Sequence, residues 1–277
     1  MSGAIVAIGG TEFTMRPENE ALHDYVLGQA GGGPGAVPEP LRICLLPTAS
    51  GDPHEQIVSF HGAMERRGCL ASAISLFRLG VAPVDLAEHL LGQDVIYVTG
   101  GSMVNLLALW LEHRIDEIIR AAHERGIVLC GYSAGSMCWF EQGLSRGGGA
   151  PASFPGLGLI GGSNCVHYSQ DPTRRDAYRR LVGEGAIPGG LALDDHAAAL
   201  IREGELVEVV RSRETAAAYR VERGADGSVV EVEVPSRLLP PARATTELGL
   251  AEMRELRRAR SGATAGPPGP GRLGRLR

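Results

Sequence analysis

Apolar residues in this chain fall into short runs separated by polar, helix-compatible stretches. Residues 4–8, 41–47, 73–77, 94–98 and 127–130 are predominantly apolar runs of four to seven, ended by glycine or proline in several cases. Runs of that length without alternation predict strands buried on both faces. Between them, residues 53–67, 83–91 (proline at the start), 102–110 (after Thr99-Gly100-Gly101) and 116–125 read as helices. Strands alternating with helices predict parallel pairing through right-handed crossovers, with reactive groups at the carboxyl ends of the strands. The run Gly31-Gly32-Gly33-Pro34-Gly35 reads as a surface loop.

Beyond Gly143 the pattern changes. Residues 145–155 predict a loop, 157–162 return to the core, and 191–201 form one further apolar strand region. Residues 206–210, 218–221 and 229–234 predict antiparallel strands, with Asp226-Gly227 as a hairpin turn. Residues 245–260 suit a charged amphipathic helix, and the tail from 262, with its Pro-Pro-Gly-Pro-Gly run, predicts disorder. The expected fold is α/β: a mostly parallel sheet flanked by helices, with a small antiparallel C-terminal extension. Residues 1–240 would form one domain, 241–261 a C-terminal helix and 262–277 a tail.

Composition narrows the function. The 277 residues are 44% hydrophobic and carry a net charge of −5, which argues against electrostatic nucleic-acid binding. Lysine is absent, so Schiff-base and Ser–Lys mechanisms are excluded. The N-terminus lacks the basic segment and long apolar run of a signal peptide, and no apolar run approaches the roughly 20 residues that span a bilayer. Five cysteines (Cys44, Cys69, Cys130, Cys138 and Cys165) show no CxxC spacing and sit mostly in apolar runs, as buried thiols of a reducing cytoplasm do.

The chemistry concentrates at Gly131-Tyr132-Ser133-Ala134-Gly135, a Gly-x-Ser-x-Gly between an apolar strand and a helix-compatible segment. That context is the form of a nucleophile elbow, in which a strained turn holds a serine hydroxyl at the end of a sheet. Small flanking residues and the free N–H groups of the following helix suit the turn and the developing oxyanion. The plainer alternative is a tight turn with a serine helix cap. A serine nucleophile needs a base, and neutral histidine suits pH 7. Of eight histidines, His54, His61, His89, His113 and His123 fall on or beside amphipathic helices, and His23 has no reactive neighbour in sequence. His167, just past a strand-like run and before a polar loop, is the leading base. His196, in Asp194-Asp195-His196, competes with it.

The residues carry a resemblance. Residues 93–105, with Thr99-Gly100-Gly101-Ser102-Met103, resemble the strand and Gly-Gly-Gly-Asn-Thr loop of the dipeptidase E and cyanophycinase family of serine peptidases. The Ser133 block followed by Cys138-Trp139-Phe140-Glu141, the stretch 45–52 and Val166-His167-Tyr168 are similar to further blocks in the family's order, together covering about residues 4–200. The resemblance implies a class I glutamine amidotransferase-like fold with serine in place of cysteine. It also implies cleavage of small peptides, often after aspartate, or of the aspartate–arginine polymer cyanophycin, with no metal or other cofactor. By position, Ser133 is the nucleophile and His167 the base.

Backbone N–H groups of Gly101 and Ala134 are the natural oxyanion donors. Three departures from the family pattern bear on the site. Thr99, Ser102 and Met103 replace a glycine, the asparagine and the threonine of the family loop. No carboxylate stands in residues 145–149, where the family's acid often lies, and Ser169 stands where an aspartate often follows His-Tyr. The acid therefore stays open between Glu141, eight residues past Ser133 and so about 12 Å along a continued helix, and Asp171. Glu141 is the favoured one. Ser102 and Asn105 are candidate substrate contacts, and Arg174 and Arg175 candidate clamps for a substrate carboxylate. Asp194-Asp195 suits reading a basic group or simply making a turn. The expected activity is a serine peptidase acting on small peptides with an acidic, Asp-type residue at the scissile bond. The partner is a peptide substrate, with no nucleic acid or membrane, and a homodimer is compatible with the chain. Two alternatives remain: a silent family member kept for binding, and an α/β-hydrolase esterase, in which the histidine would come last in chain order.

Overall fold

The computed structural model describes residues 2–10, 20–31, 40–146 and 149–242. Five strands, β1 (Ile5–Ile8), β2 (Arg42–Leu46), β3 (Leu70–Ala73), β4 (Val95–Val98) and β5 (Val128–Tyr132), pair in parallel in the order β1-β5-β4-β2-β3. Helices α1 (Glu20–Ala30) and α2 (His54–Glu65) pack on one face, and α4 (Met103–Glu112) and α5 (Ile115–Glu124) on the other. Both faces are covered, so successive strand residues enter different cores. Ile5 and Ala7 join Leu46, Val98 and Trp110, whereas Val6 and Ile8 join Leu45, Phe60 and Tyr97.

One predicted strand is displaced. Of the run 73–77 only Ala73 pairs; β3 ends there, and Leu76–Arg78 is a 3-10 turn. As an edge strand bonded only to β2, β3 needs little apolar character, and the buried Ile74 and Leu76 that follow fold over the sheet edge instead.

The second half builds more sheet than expected. β10 (Ala197–Arg202) pairs antiparallel with β1, β11 (Glu205–Arg211) antiparallel with β10, and β14 (Ser236–Leu238) parallel with β11, completing an eight-stranded sheet. The remaining strands form a six-stranded sheet. In spatial order it runs β13 (Val229–Glu233), β12 (Ala218–Arg223), β9 (Gly190–Leu193), β8 (Ile160–Val166), β6 (Phe140–Ser145) and β7 (Ala152–Pro155). The hairpin at Asp226-Gly227 joins β12 to β13. The antiparallel strands are therefore shared between two sheets rather than forming a separate extension. Helix α7 (Pro172–Gly183) covers the outer face of the smaller sheet, burying Tyr178 and Val182 against Cys165, Ala192 and Val221.

Three expectations change here. The helix after Ser133, α6 (Ala134–Met137), is a single turn, and residues 145–155 are not a plain loop, because β6 and β7 pair on either side of it. Trp139 and Phe140 are fully buried, with Trp139 against Trp110 at 6.1 Å between ring centroids, which turns the chain inward after one helical turn. Residues 191–201 are likewise two strands in two sheets. β9 ends at Leu193 in the smaller sheet and β10 begins at Ala197 in the larger, so only Asp194, Asp195 and His196 carry the chain across. The predicted helix beyond residue 242 and the tail lie outside the described residues. Among the described residues, no helix is long and apolar enough to cross a membrane.

Candidate active site

Ser133 follows β5 with φ 53° and ψ −114°, a region that non-glycine residues rarely occupy. Its N–H donates to the Ile8 carbonyl at 3.1 Å, and its carbonyl accepts from Ser136 and Met137, both at 3.0 Å, starting α6 at once. The motif glycines are there for clearance. A Cβ on Gly131 would stand 2.3 Å from the Gly135 oxygen, and one on Gly135 2.4 Å from the Val98 oxygen. Cys130, three residues before Ser133, is buried, and burial pushes its thiol pKa far up, which leaves it inert.

The Ser133 Oγ lies 3.0 Å from His167 Nε2. His167 leaves the end of β8 with φ 56°, and its Nδ1 lies 2.5 Å from Asp195 Oδ1. Serine, imidazole and carboxylate thus stand in line. In that arrangement the imidazole can take the hydroxyl proton while the carboxylate fixes the tautomer and steadies the imidazolium. Burial raises the Asp195 pKa, but the hydrogen bond and charge of His167, with smaller contributions from His196 and Arg174, hold it below its ordinary value. The carboxylate therefore stays ionised at neutral pH.

The sequence does not single out Asp195 as the partner of His167, because its position depends on three separate segments. The Asp195 N–H donates to Gln170 Oε1 at 3.0 Å. Next to it, the buried Asp194 carboxylate accepts from the Ser169 N–H at 2.8 Å and the Ala217 N–H at 3.1 Å. The Tyr168 N–H donates to the Leu193 carbonyl at 3.2 Å. Together these bonds dock the loop carrying His167 onto the turn carrying Asp195. Asp194 is spent on this docking and is not a reader of a basic group. Gly10 completes the site from below: a Cβ there would sit 1.9 Å from Asp195 Oδ1 and 2.4 Å from His167 Nδ1. The only sequence signal for it is Gly9-Gly10 at the carboxyl end of the first strand. His196, the competing base, has its Nδ1 3.5 Å from Ser212 Oγ and its N–H bonded to Gly10.

The loop after β4 presses against the elbow. A Cβ on Gly100 would lie 3.0 Å from Ser133 Cβ, and Gly101, at φ 141°, passes so close to the Ala49 oxygen that a Cβ would stand 2.0 Å from it. The Gly101 and Ala134 N–H groups have no acceptor among the described residues. Thr99 is tied to this arrangement, its hydroxyl 3.2 Å from Ser50 Oγ. Ser50 bonds Gln56 at 2.7 Å, and Gln56 Nε2 donates to the Tyr132 hydroxyl at 2.8 Å. Ser102 caps α4 by accepting from the Asn105 N–H at 3.2 Å, and Asn105 is exposed on the first turn of that helix.

Several other candidates are placed elsewhere. Glu141 is not on a continued helix. It lies exposed on β6, where it accepts from the Gly162 N–H at 3.0 Å, so it does not support His167. Asp171 caps α7 and pairs with Arg146 at 2.7 Å and Arg174 at 3.3 Å. Burial opposes its ionisation, but the Thr173 hydroxyl and Arg146 outweigh that and bring its pKa down to about 2. Arg175 pairs with Glu231 and stacks over Tyr168 and Tyr219 at 5.3 and 5.8 Å. Glu231 also takes Arg179 and the Tyr168 hydroxyl. The chain's own carboxylates therefore occupy both guanidinium groups expected to clamp a substrate carboxylate. Among the described residues no cluster of three or more His, Cys, Asp or Glu side chains could hold a metal ion.

Comparison with known proteins fits this geometry. The sequence profile of peptidase family S51 matches residues 5–209. An uncharacterised peptidase of Bacillus subtilis strain 168, YgaJ, is 40% identical over 235 residues, which cover 85% of this chain and 98% of that protein. Two crystal structures share the fold. A peptidase from an acI-B1 actinobacterium has TM-score 0.64 at 17% identity, covering 85% of this chain and 95% of that one. A putative peptidase E from Listeria monocytogenes EGD-e has TM-score 0.54 at 18% identity, covering 76% of this chain and 99% of that one. The chain belongs to peptidase family S51, the dipeptidase E family of serine peptidases.

Proposed function

We propose that Ser133, His167 and Asp195 are the catalytic triad of a peptidase that cleaves small peptides. The observation that carries this is the unbroken hydrogen-bond line from Ser133 Oγ through the imidazole to Asp195 on a strained elbow. Ser133 attacks the scissile carbonyl while His167 takes its proton. The Gly101 and Ala134 N–H groups stabilise the oxyanion, and His167 passes the proton to the leaving amine. Water then enters by the same base and releases the acyl group. The chain order serine, histidine, aspartate disfavours the α/β-hydrolase esterase, where the histidine comes last. With Asp195 in the acid's role, the silent-binder reading loses its main support.

Preference for an acidic residue at the scissile bond is the second part of the proposal and rests on the family resemblance. Neither Arg174 nor Arg175 is its reader. The test is hydrolysis of a dipeptide panel (Asp-x, Glu-x, β-Asp-Arg and neutral controls) by wild type, Ser133→Ala and His167→Ala, beside labelling by a fluorophosphonate probe. Turnover of one class, lost in both variants together with Ser133-dependent labelling, is the expected result. Absence of both turnover and labelling in the wild type would overturn it.

A further inference from the structure

We propose that a cavity beside the edge strand β3 is a distal subsite for an acidic residue of a longer peptide, an inference that rests on the peptidase reading. The cavity has a volume of about 560 Å³, enough for one or two side chains. One wall is a face of α2, where His54, Ile57 and His61 recur at helical spacing; opposite are His89 of α3 (Leu86–Leu91) and Arg78 from the 3-10 turn. Leu79, Pro83 and Val84 supply apolar surface for methylene groups.

Charge decides the ligand class. Arg78 is exposed and has no carboxylate partner among the described residues, unlike Arg146, Arg174 and Arg175. The one carboxylate on the wall, Asp52, is turned inward. Both its oxygens are sealed from solvent, facing the Ser75 hydroxyl and the Leu76 and Phe77 N–H groups at the start of the 3-10 turn. The open surface therefore offers a guanidinium and imidazoles beside apolar carbon, which suits a carboxylate side chain or chain end. The three histidines do not form a metal-holding cluster with each other or with Asp52.

The cavity shares a wall with the catalytic edge. In the loop after β2, Ala49 packs under Gly101 and Ser50 bonds Thr99, while Asp52 and His54 a few residues later line the cavity. In the first turn of α2, Gln56 reaches Tyr132 next to Ser133, and His54 and Ile57 face the cavity. From the end of β5 to the end of β3 is three strand spacings, about 14 Å. An extended peptide covers that distance in about four residues.

The test scans one aspartate along an otherwise neutral hexapeptide and measures kcat/KM relative to a good dipeptide. Aspartate about four residues from the scissile bond should raise that ratio about tenfold, mainly through KM, and Arg78→Gln should abolish the gain. Ala82→Trp, which fills the cavity without removing a charge, should reduce it too. Binding is read separately: full-length Ser133→Ala is titrated with the fluorescein-labelled hexapeptide, and adding Arg78→Gln should weaken Kd about tenfold. A flat scan, or a gain and a Kd indifferent to Arg78→Gln, would overturn the subsite. If the wild type cleaves nothing while Ser133→Ala still binds in an Arg78-dependent way, the cavity stands and the peptidase reading fails.

Discussion

Ser133 and Asp195 both sit in short turns at the carboxyl edge of the eight-stranded sheet, but the two turns are specified differently. The Ser133 turn is set by its own neighbours: Gly131 and Gly135 make room for each other and for Val98, and the carbonyl of Ser133 begins α6. The Asp195 turn is three residues long, links two sheets, and is held by Gln170, Ser169, Ala217 and the clearance at Gly10. On the proposed triad, a local motif delivers the nucleophile, whereas tertiary structure delivers the acid. Activity should then depend on both, while stability should depend more on the tightly packed elbow.

The sharpest way to break the comparison is Asp195→Asn. Losing the carboxylate leaves His167 in the wrong tautomer and without charge stabilisation, so kcat should fall by about 10³- to 10⁴-fold. Glu141→Gln, on an exposed strand position, should stay near wild type. Steady-state kinetics on the best dipeptide checks both, and the reverse ranking would remove Asp195 from the triad.

Next in size is Gly10→Ala. The new methyl group must displace Asp195 Oδ1 or the imidazole, because their distances to it would be 1.9 and 2.4 Å. A shift of about 1 Å in such a pair is worth on the order of 10²-fold in rate. The loss should appear in kcat more than in thermal stability. An Ala variant with unaltered kcat would mean the pair tolerates the displacement.

Gly135→Ala sharpens the other side of the comparison. Its Cβ would meet backbone, with the Val98 oxygen at 2.4 Å and the Thr99 oxygen at 2.8 Å. Overpacking of this kind costs about 1–3 kcal/mol, so the thermal midpoint should drop clearly and further than in Gly10→Ala. Equal midpoints in the two variants would show that the elbow is no more rigid than the sheet-crossing turn.

What the sequence made legible follows the same division. The parallel strands, the elbow and His167 are readable because their signals are contiguous: an apolar run, glycines two residues either side of Ser133, a histidine at a strand end. The edge strand β3 was misplaced because edge pairing needs few apolar residues, and Leu70–Ala73 carries little pattern. The sequence favours Glu141 because Trp139 and Phe140 suit a continued helix, whereas their apolarity belongs to the core between the sheets. Asp195 could not be singled out, since 191–201 reads as one apolar stretch and nothing local says that it changes sheets at 194–196. Arg174 pairs locally with Asp171 at the cap of α7, whereas the partner of Arg175, Glu231 on β13, is assigned only by the packing of α7 on the sheet.

The smallest effect expected is that of Asp171→Asn, which separates a structural carboxylate from the proposed catalytic one. Asparagine still caps α7, so what is lost is the pairing with the partly exposed Arg146 and with Arg174, worth about 1 kcal/mol or less. The folded pKa of Asp171, about 2, lies below the ordinary 3.8. The unfolded chain therefore binds a proton more readily than the folded one. The stabilisation is complete above about pH 4 and disappears as pH falls toward 2. Thermal midpoints of wild type and Asp171→Asn should differ slightly at pH 6 and converge near pH 2, with kcat at pH 7 close to wild type. A fall in kcat comparable to that of Asp195→Asn would reassign the acid to Asp171, and the sheet-crossing turn would lose its catalytic role.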